Sequence, residues 1–319
     1  MRERVIYSIP SLYRDDFRVK AYLFGQGEKA LCIVGSMRGN EYQQLFIASQ
    51  MVQRLKELEE QGRLADGVEI MVIPSVNPSS MNVGKRFWAT DNTDINRMFP
   101  GYDLGETTQR IAAGVFQVVN QYRSGIQLAS YYMPGNFSPH VRMMRTGFEN
   151  LDKARDFGLP YIVLRTPRPY DTTTLNYNWQ IWETDAYSLY STTTDRIDAA
   201  SAGLLVRSME RFMVKNGILR GTVEDCPPAR LIERWTLFPL RPEVSGLYRS
   251  LVETGSHVEA GQPCAQIYDP CTGVLLETLH APKPGTVFFQ HDAPMVYAYT
   301  AAVKLLPDEE GSLSEADVD

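Results

Sequence analysis

The chain has 319 residues, of which 44% are hydrophobic and 22% are charged, and its formal net charge is −6. This composition is typical of a globular protein that is long enough for a large core and for two domains. Lysines and arginines are scattered along the chain, so it lacks the positive patch that nucleic acid or an anionic membrane would need. We therefore expect a small-molecule partner, no nucleic acid and no membrane, and a homo-oligomer is compatible with the sequence.

The N-terminal sequence MRERVIYSIP alternates apolar and polar residues like a strand and lacks the continuous apolar core of a signal peptide. No later run approaches the roughly 18 apolar residues of a membrane-spanning helix. The cysteines include no CxxC pair, and their apolar or strand-like contexts are typical of reduced thiols. They are Cys32, Cys226, Cys264 and Cys271. These features predict a cytoplasmic protein without a cysteine zinc cluster.

The first 220 residues alternate predicted strands and helices, which is the pattern of a mainly parallel, mixed sheet covered by helices on both faces. A long connection over 77–105 interrupts the alternation, and connections of this length are usually functional or disordered. The predicted strands are a hairpin over 5–28 and segments at 29–36, 67–76, 125–132, 161–165 and 178–184. The predicted helices follow residue 41 and cover about 111–122, 150–158 and 195–215.

Helical periodicity disappears after residue 221, where glycines and prolines separate short apolar runs. This pattern predicts a small all-β, barrel-like domain over 221–306, similar to the half-barrel repeat of biotinyl and lipoyl domains. The carrier lysine of such domains is absent, so we interpret this domain as an architectural cap or an oligomerisation element. The acidic segment 307–319 is predicted to be a frayed tail.

The stretch CIVGSMRGNEYQQ is an apolar strand that runs into a glycine-flanked turn and then a helix. Such turns present side chains at the carboxyl edge of a parallel sheet, where open α/β sheets bind ligands. Together with VNPSSMNVGKRF, DNTDINRMFPG and IWET, in this order, it resembles the succinylglutamate desuccinylase and aspartoacylase family. The resemblance covers nearly the whole chain and implies a zinc carboxypeptidase-like fold.

The resemblance implies a zinc site whose ligands are a histidine and a glutamate in the turn and a second histidine at the end of a later strand. Glu41 matches the glutamate, but Arg38 and Ala129 stand at the two histidine positions. Arginine has no lone pair to give to a metal and alanine has no donor, so no cofactor is expected, and Glu41 is a metal ligand only if a metal is bound. Arg38 either pairs with Glu41 in place of the metal or points to solvent on an ordinary loop. His140 lies about ten residues past Ala129 and is the candidate to replace a lost histidine ligand; the alternative is a loop or core histidine.

Glu183, in IWET, matches the glutamate that the family uses as general base, and without zinc it is equally well explained as a strand-end residue paired with an arginine. Aromatic residues are dense around it; at least some are expected to pack in the core, and a few to line the pocket.

The ligand-binding residues implied by the resemblance are Asn96 and Arg97 in DINR, with Asp94 holding their turn. A guanidinium suits a ligand carboxylate, so this assignment does not depend on a metal. Asn77 matches the loop opening beside the cleft, and Arg86 is a further cation near the pocket.

Three functions follow. The first is a deacylase-family protein that has lost the ordinary zinc site and keeps a pocket for a small carboxylate-bearing ligand such as an N-acyl amino acid. The second is an active metal-dependent hydrolase of an amide or ester with a rebuilt metal site. The third is a metal-free enzyme that uses Glu183 and Arg38. A serine or cysteine nucleophile is disfavoured because no Gly-x-Ser-x-Gly elbow or Cys/His pattern is present.

Overall fold

The computed structural model describes residues 1–13, 15–233 and 237–308. The chain divides into two compact units: the first comprises Met1–Ser130 and His140–Arg230, and the second comprises Tyr131–Pro139 and Leu231–Asp319. The second unit therefore includes a segment from the middle of the sequence as well as the predicted C-terminal domain. Most of the predicted acidic tail, 309–319, lies outside the described residues.

The strands, in chain order, are β1 Arg2–Ile9, β2 Phe17–Gly25, β3 Glu28–Ser36, β4 Val68–Ser75, β5 Ser124–Ala129, β6 Asn136–Phe137, β7 His140–Met144, β8 Tyr161–Arg165, β9 Asp185–Tyr190, β10 Arg230–Glu233, β11 Phe238–Leu240, β12 Gly246–Ser250, β13 His257–Val258, β14 Pro263–Tyr268, β15 Leu275–His280, β16 Gly285–Gln290, β17 Met295–Val296 and β18 Val303–Pro307. The helices are α1 Tyr42–Glu60, α2 Pro78–Met81, α3 Thr107–Val119, α4 Leu151–Arg155, α5 Leu175–Ile181 and α6 Ala199–Lys215, with 3-10 turns at Ile95–Arg97 and Pro169–Asp171.

The first unit contains a large mixed sheet in which eight strands follow the order β1-β2-β4-β3-β5-β9-β7-β8. The central strands β4, β3, β5 and β9 run parallel to their neighbours in this group. Strands β2 and β7 pair antiparallel with β4 and β9 on either side of it. The carboxyl ends of β3, β5 and β9 therefore meet at one edge of the sheet, which is where the predicted site belongs.

Helices cover both faces of this sheet, as predicted. Helices α1 and α6 pack on one face over Leu31, Ile33, Leu128 and Leu189. Helices α3 and α5 pack on the other face over Cys32, Val34 and Ala186. Each strand supplies both cores because its successive side chains point to opposite faces. The α/β fold class is thus observed.

One predicted element has the wrong type. The sequence over 178–184 is rich in aromatic residues and reads as a strand, but the structure has helix α5 here. Thr174 caps the helix by accepting a hydrogen bond from the Tyr177 amide. Leu175 and Trp179, four residues apart, are both fully buried on one face of the helix. Tertiary packing therefore overrides the β propensity of the aromatic residues.

The second unit is all-β, and its described strands form two sheets. One has the order β11-β18-β16-β13, with β6 also paired to β16, and the other has the order β15-β14-β12-β17. Apolar residues of both sheets form a single core, which includes Val258, Cys264, Ile267 and Val287. The pairing of the described strands does not close into a barrel.

No helix in the described ranges is long and apolar enough to span a membrane.

Candidate functional site

The turn after β3 is built around two close backbone approaches. A Cβ on Gly35 would lie 2.2 Å from the Pro74 carbonyl oxygen, and one on Gly39 would lie 2.2 Å from the Lys85 carbonyl oxygen. Only glycine fits at these positions without a shift of the backbone. The chain can therefore turn sharply from β3 into α1 at the carboxyl edge of the sheet, and Arg38 and Glu41 lie on this turn.

Arg38 is buried between two carboxylates. Its Nη1 donates to Glu41 Oε1 at 2.9 Å, while Nη2 donates to Asp94 Oδ2 at 2.8 Å and Nε to Asp94 Oδ1 at 3.1 Å. The side chain of Arg38 is 8% exposed and that of Glu41 is 2% exposed. Burial alone would lower the pKa of Arg38, but Glu41 and Asp94 together outweigh it and raise this pKa. Arg38 is therefore a permanent cation shared by two acids.

Glu41 has hydrogen-bond partners on both carboxylate oxygens. Its Oε2 accepts from the backbone amides of Met37 at 2.7 Å and Arg38 at 3.0 Å. Its Oε1 accepts from Arg38 and from the hydroxyl of Ser130, which directly follows β5. The carboxylate is thus held by the turn itself and by the neighbouring strand end.

Arg86 is a second cation beside this cluster. Burial and the positive charge of Arg38 lower the pKa of Arg86, and Glu41 and Asp94 oppose that shift. Its guanidinium carbon lies 5.6 Å from the centre of the Phe87 ring. No ion pair is found for Arg86 within the part of the chain that the structure describes, so a ligand carboxylate has a suitable counter-charge here.

Arg97 adds to the excess of positive charge. Its guanidinium lies 3.7 Å from Asp171, and Arg165 lies 3.1 Å from the same carboxylate. Asp171 is 2% exposed, so one buried acid serves two arginines. Arg97 also donates to the Tyr170 carbonyl oxygen at 2.6 Å and is 37% exposed, which keeps it accessible.

Asp94 and Asn96 have structural roles at the predicted ligand-binding turn. Asp94 Oδ1 accepts from the Asn96 amide at 3.0 Å, as expected of the residue that holds the turn. Asn96 Oδ1 accepts from the Leu175 amide at 3.2 Å, so this oxygen is already used. Its Nδ2 has no hydrogen-bond partner among the described residues and remains available to a ligand.

Asn77 caps helix α2. Its Oδ1 accepts from the Ser80 amide at 3.2 Å, and the residue is 1% exposed. This contact explains the asparagine without a ligand, because an amide oxygen at the N-cap satisfies a free backbone amide.

Glu183 lies at the opposite end of the sheet. The residue pairing Ser124 with Asp185 marks the amino ends of β5 and β9, and Glu183 precedes β9 by two residues. It is exposed, and its φ of +66° is a left-handed conformation at the end of α5. The structure therefore does not bring Glu183 to Arg38 and Glu41, and this placement argues against the expected general-base role.

At the site edge, β9 instead ends in Tyr190, which pairs with Ala129 of β5 and with His140 of β7. The His140 ring stacks on the Tyr190 ring with centroids 4.7 Å apart, and His140 is 3% exposed. The guanidinium carbon of Arg142 lies 5.0 Å from the centre of the same Tyr190 ring. His140 is thus a buried, stacked residue at the correct edge of the sheet.

Two residues of the cluster were not expected to contact Arg38 and Glu41. From the sequence, Asp94 is expected only to hold its turn, and serines are considered only as nucleophiles. Two features of the sequence together could have indicated the contact of Asp94: Arg38 stands at a metal-ligand position, and DINR supplies an acidic residue. A buried cation needs negatively charged neighbours, so the two residues could have been expected to pair. Nothing in the sequence pointed to Ser130.

Comparison with known proteins agrees with this architecture. Residues 27–180 match the model of the succinylglutamate desuccinylase/aspartoacylase catalytic domain. This match identifies residues 27–180 as a catalytic domain of the succinylglutamate desuccinylase/aspartoacylase family. The chain is 24% identical over 271 residues to the N-alpha-acetyl-L-2,4-diaminobutyric acid deacetylase of Halomonas elongata, a match that spans 77% of this chain and 72% of the relative.

Solved structures show that the fold of the whole chain, including both units, is shared with other proteins. A succinylglutamate desuccinylase from Silicibacter sp. TM1040 has a TM-score of 0.78 and 16% identity, covering 95% of this chain and 94% of that one. The product-bound ectoine utilization protein EutE (DoeB) from Ruegeria pomeroyi has a TM-score of 0.75 and 15% identity, covering 94% and 93%.

The residues at the family's zinc position do not fit a zinc ion in this chain. Catalytic zinc is held by three donor side chains plus a water, and of the three positions that match the family's ligands only Glu41 carries a donor. The guanidinium of Arg38 is bonded to that same carboxylate and to Asp94, so it competes for the oxygen that a metal would use. No group of three metal-binding side chains is found in the described ranges. The residues at this position therefore form an internal ion-pair cluster and not a set of zinc ligands.

Proposed function

We propose that this family member binds a small carboxylate-bearing molecule, such as an N-acyl amino acid, without the ordinary zinc site. The observation that carries this proposal is the buried ion-pair cluster in which the Arg38 guanidinium bonds Glu41 and Asp94 at once. The cluster neutralises the carboxylate that remains when the metal ligands are replaced, so the pocket is stable without a metal. It leaves the turn and the sheet edge of a deacylase in place.

The ligand class follows from the charges next to the cluster. Arg86 has no ion pair in the described part of the chain, and Arg97 shares Asp171 with Arg165. A planar guanidinium forms paired hydrogen bonds with a carboxylate, so these arginines suit an acid rather than a neutral amide. The Halomonas elongata relative is named as the deacetylase of an N-acetylated amino acid, which supports the same class of ligand.

The proposal is tested on the purified full-length protein by two measurements. The first is the metal content by elemental mass spectrometry, which should be far below one zinc per chain even after purification with zinc present. The second is isothermal titration with N-acetyl amino acids. Arg86→Gln should weaken binding at least roughly tenfold, because a charge-assisted hydrogen bond is lost, whereas Glu183→Gln should leave binding unchanged.

Two outcomes would contradict the proposal. One tightly bound zinc per chain with Glu41 among its ligands would support the alternative of a metal-dependent hydrolase with a rebuilt site. A loss of binding in Glu183→Gln that matches the loss in Arg86→Gln would place Glu183 in the ligand pocket, contrary to its position at the opposite end of the sheet.

A further inference from the structure

One sheet of the second unit carries a row of apolar side chains across all of its strands. The strand order of this sheet is β15-β14-β12-β17. Leu275 of β15 pairs with Tyr268 of β14, and Leu247 of β12 pairs with both Tyr268 and Met295 of β17. Paired residues on neighbouring strands point to the same face of a sheet, with their Cβ atoms about 5 Å apart. These four residues, the apolar row, therefore lie side by side on one face.

The apolar row lies on the face of the sheet that is turned away from the core. Ile267 and Val296, which neighbour Tyr268 and Met295 along their strands, are buried in the core of this unit. Successive side chains of a strand point to opposite faces, so the row points outward. Its three aliphatic members are between 39% and 46% exposed. An antiparallel sheet with one solvated face normally places polar residues there, so an apolar row on this face indicates that another surface covers it.

Three more exposed apolar side chains border the apolar row. Val274 and Leu276 are the sequence neighbours of Leu275, and Tyr297 follows Met295 by two residues. They are 57%, 45% and 76% exposed, in that order. Together with the row they leave on the order of 500 Å² of apolar surface open, which is at the upper end of what a monomeric protein exposes in one patch.

The apolar row is complementary to itself. Two copies of this sheet can stack face to face about a two-fold axis that lies between them, parallel to their strands. Such an axis reverses the order of the strands, so that β12 of one copy faces β14 of the other, and β15 faces β17. Leu247 then faces Tyr268, and Leu275 faces Met295. Every member of the row thus meets an apolar side chain of the second copy.

The polar groups beside the row are compatible with this arrangement. Arg249 points to the same face as Leu247, two residues away, and its cross-strand partner is Gln266. The same axis places Arg249 of one copy over Gln266 of the other, so the two like charges do not meet. The hydroxyl of Tyr268 donates to Gln266 Oε1 at 2.7 Å, so the ring can be covered without leaving an unpaired donor.

We propose that the outward face of this sheet is the surface through which two copies of the chain associate as a homodimer. Stable interfaces bury about 800 Å² on each partner, with an apolar centre and a polar rim. The apolar row and its three neighbours supply the centre, and Arg249 and Gln266 belong to the rim. The occupant is a second copy because the row that needs covering is matched by the same row in that copy. This inference is independent of the proposed ligand binding.

The test is sedimentation velocity of the full-length protein at concentrations from about 1 to about 100 µM. Wild type should be a dimer over most of this range, with a dissociation constant in the low micromolar range or below. Leu247→Glu places a charge at the centre of the interface and should weaken the dimer at least roughly hundredfold. Leu104→Glu is the matched control, because Leu104 is an 80% exposed leucine of the first unit, and it should leave the dimer unchanged.

Two further measurements keep the test decisive. If Leu247→Glu fails to fold, the double variant Leu275→Ser, Met295→Ser removes apolar surface without adding charge and should weaken the dimer at least roughly tenfold. Raising the NaCl concentration from about 0.1 M to about 1 M should leave the wild-type dimer at least as stable, because salt screens ion pairs and not apolar contacts.

The inference is overturned if wild type remains a monomer at about 100 µM, since the face would then serve a different partner. It is also overturned if a wild-type dimer persists unchanged in the folded Leu247→Glu or double serine variant, because the dimer would then use another surface. Equal weakening by Leu104→Glu, or dissociation by high salt, would likewise exclude the apolar row as the interface.

Discussion

At the scale of single residues, the cluster around Arg38 solves an electrostatic problem that follows from replacing two metal ligands. Glu41 stays buried with both oxygens bonded, and Asp94 lies beside it, so two negative charges need compensation in a region of low dielectric. A guanidinium supplies three hydrogen bonds to two acids from one rigid plane. Arg38 therefore acts as an internal counter-ion, and removing it should leave the acids uncompensated.

Arg38→Met should consequently lower the free energy of unfolding by about 3–5 kcal/mol, since breaking a buried pair leaves an unpaired buried charge. Denaturant unfolding of the full chain measures this loss. Arg155→Met is the matched control: Arg155 also pairs with an acid three residues away, but both partners are exposed, so the change should be below about 1 kcal/mol. Equal losses in the two variants would show that the Arg38 cluster contributes no more than a surface ion pair.

At the scale of elements, the strand-turn-helix unit was predictable and the position of Glu183 was not. Local sequence patterns predict all three parts of this unit. They are the apolar run before Ser36 for the strand, two glycines for the turn, and the helical spacing of apolar residues for α1. The location of Glu183 depends on whether α5 is a helix or a strand, because a strand over 178–184 would carry the glutamate toward the site edge. The aromatic content of this segment favours a strand, which is wrong. The helix is favoured by the packing of Trp179 against Gly125, a contact between segments that are distant in sequence.

The entrance of α1 is fixed by a side chain that the sequence did not single out. The Gln43 amide donates to the Asp198 carbonyl oxygen at 2.9 Å and accepts from the Asp198 amide at 2.9 Å, which ties α1 to the start of α6. Gln43→Ala should cost about 1–3 kcal/mol of unfolding free energy, because two backbone groups lose their partners. Gln53→Ala, on the exposed side of the same helix, should change it by less than about 0.5 kcal/mol, as measured by denaturant unfolding. A similar cost in both variants would contradict a specific role for Gln43.

The second unit has a titratable contact between strand ends. The ring of His257 on β13 lies 2.8 Å from Asp308, which follows β18, and this hydrogen bond raises the pKa of His257 above its ordinary value of about 6.5. The resulting stabilisation is fully present below about pH 6.5 and is lost as the pH rises through the raised pKa.

The stability difference between wild type and His257→Gln should therefore shrink as the pH increases from about 6 to about 8. Thermal unfolding of the full chain across this range measures the difference. Asp308→Asn removes the partner of His257, so its stability difference from wild type should shrink over the same pH range. A difference between wild type and His257→Gln that stays constant with pH would exclude the contact as its source.

At the scale of the whole molecule, the family fold persists although the metal ligands differ. The overall alternation of strands and helices and the all-β character of the C-terminal region were readable from sequence periodicity. The transfer of Tyr131–Pro139 into the second unit was not, because strand β6 spans only two residues and pairs with β16, far away in sequence. Pairing between distant segments leaves no local pattern in either of them.

Restoring the family's two histidines should convert the turn from a site for an internal cation into a site for a metal. In the Arg38→His, Ala129→His double variant, Glu41 and Asp94 lose their counter-ion, and two imidazoles join Glu41 at the edge where Ser130 already contacts it. Zinc should then raise the free energy of unfolding of the double variant, by about 2.7 kcal/mol at a free zinc concentration one hundred times its dissociation constant. Wild type and the single variant Ala129→His should show no such zinc-dependent shift in thermal unfolding, because Arg38 keeps Glu41 occupied.

A zinc-dependent stabilisation of the wild-type chain would refute the assignment of Arg38 as the counter-ion. If zinc does not stabilise the double variant, this edge of the sheet differs from a zinc site in more than its two missing ligands.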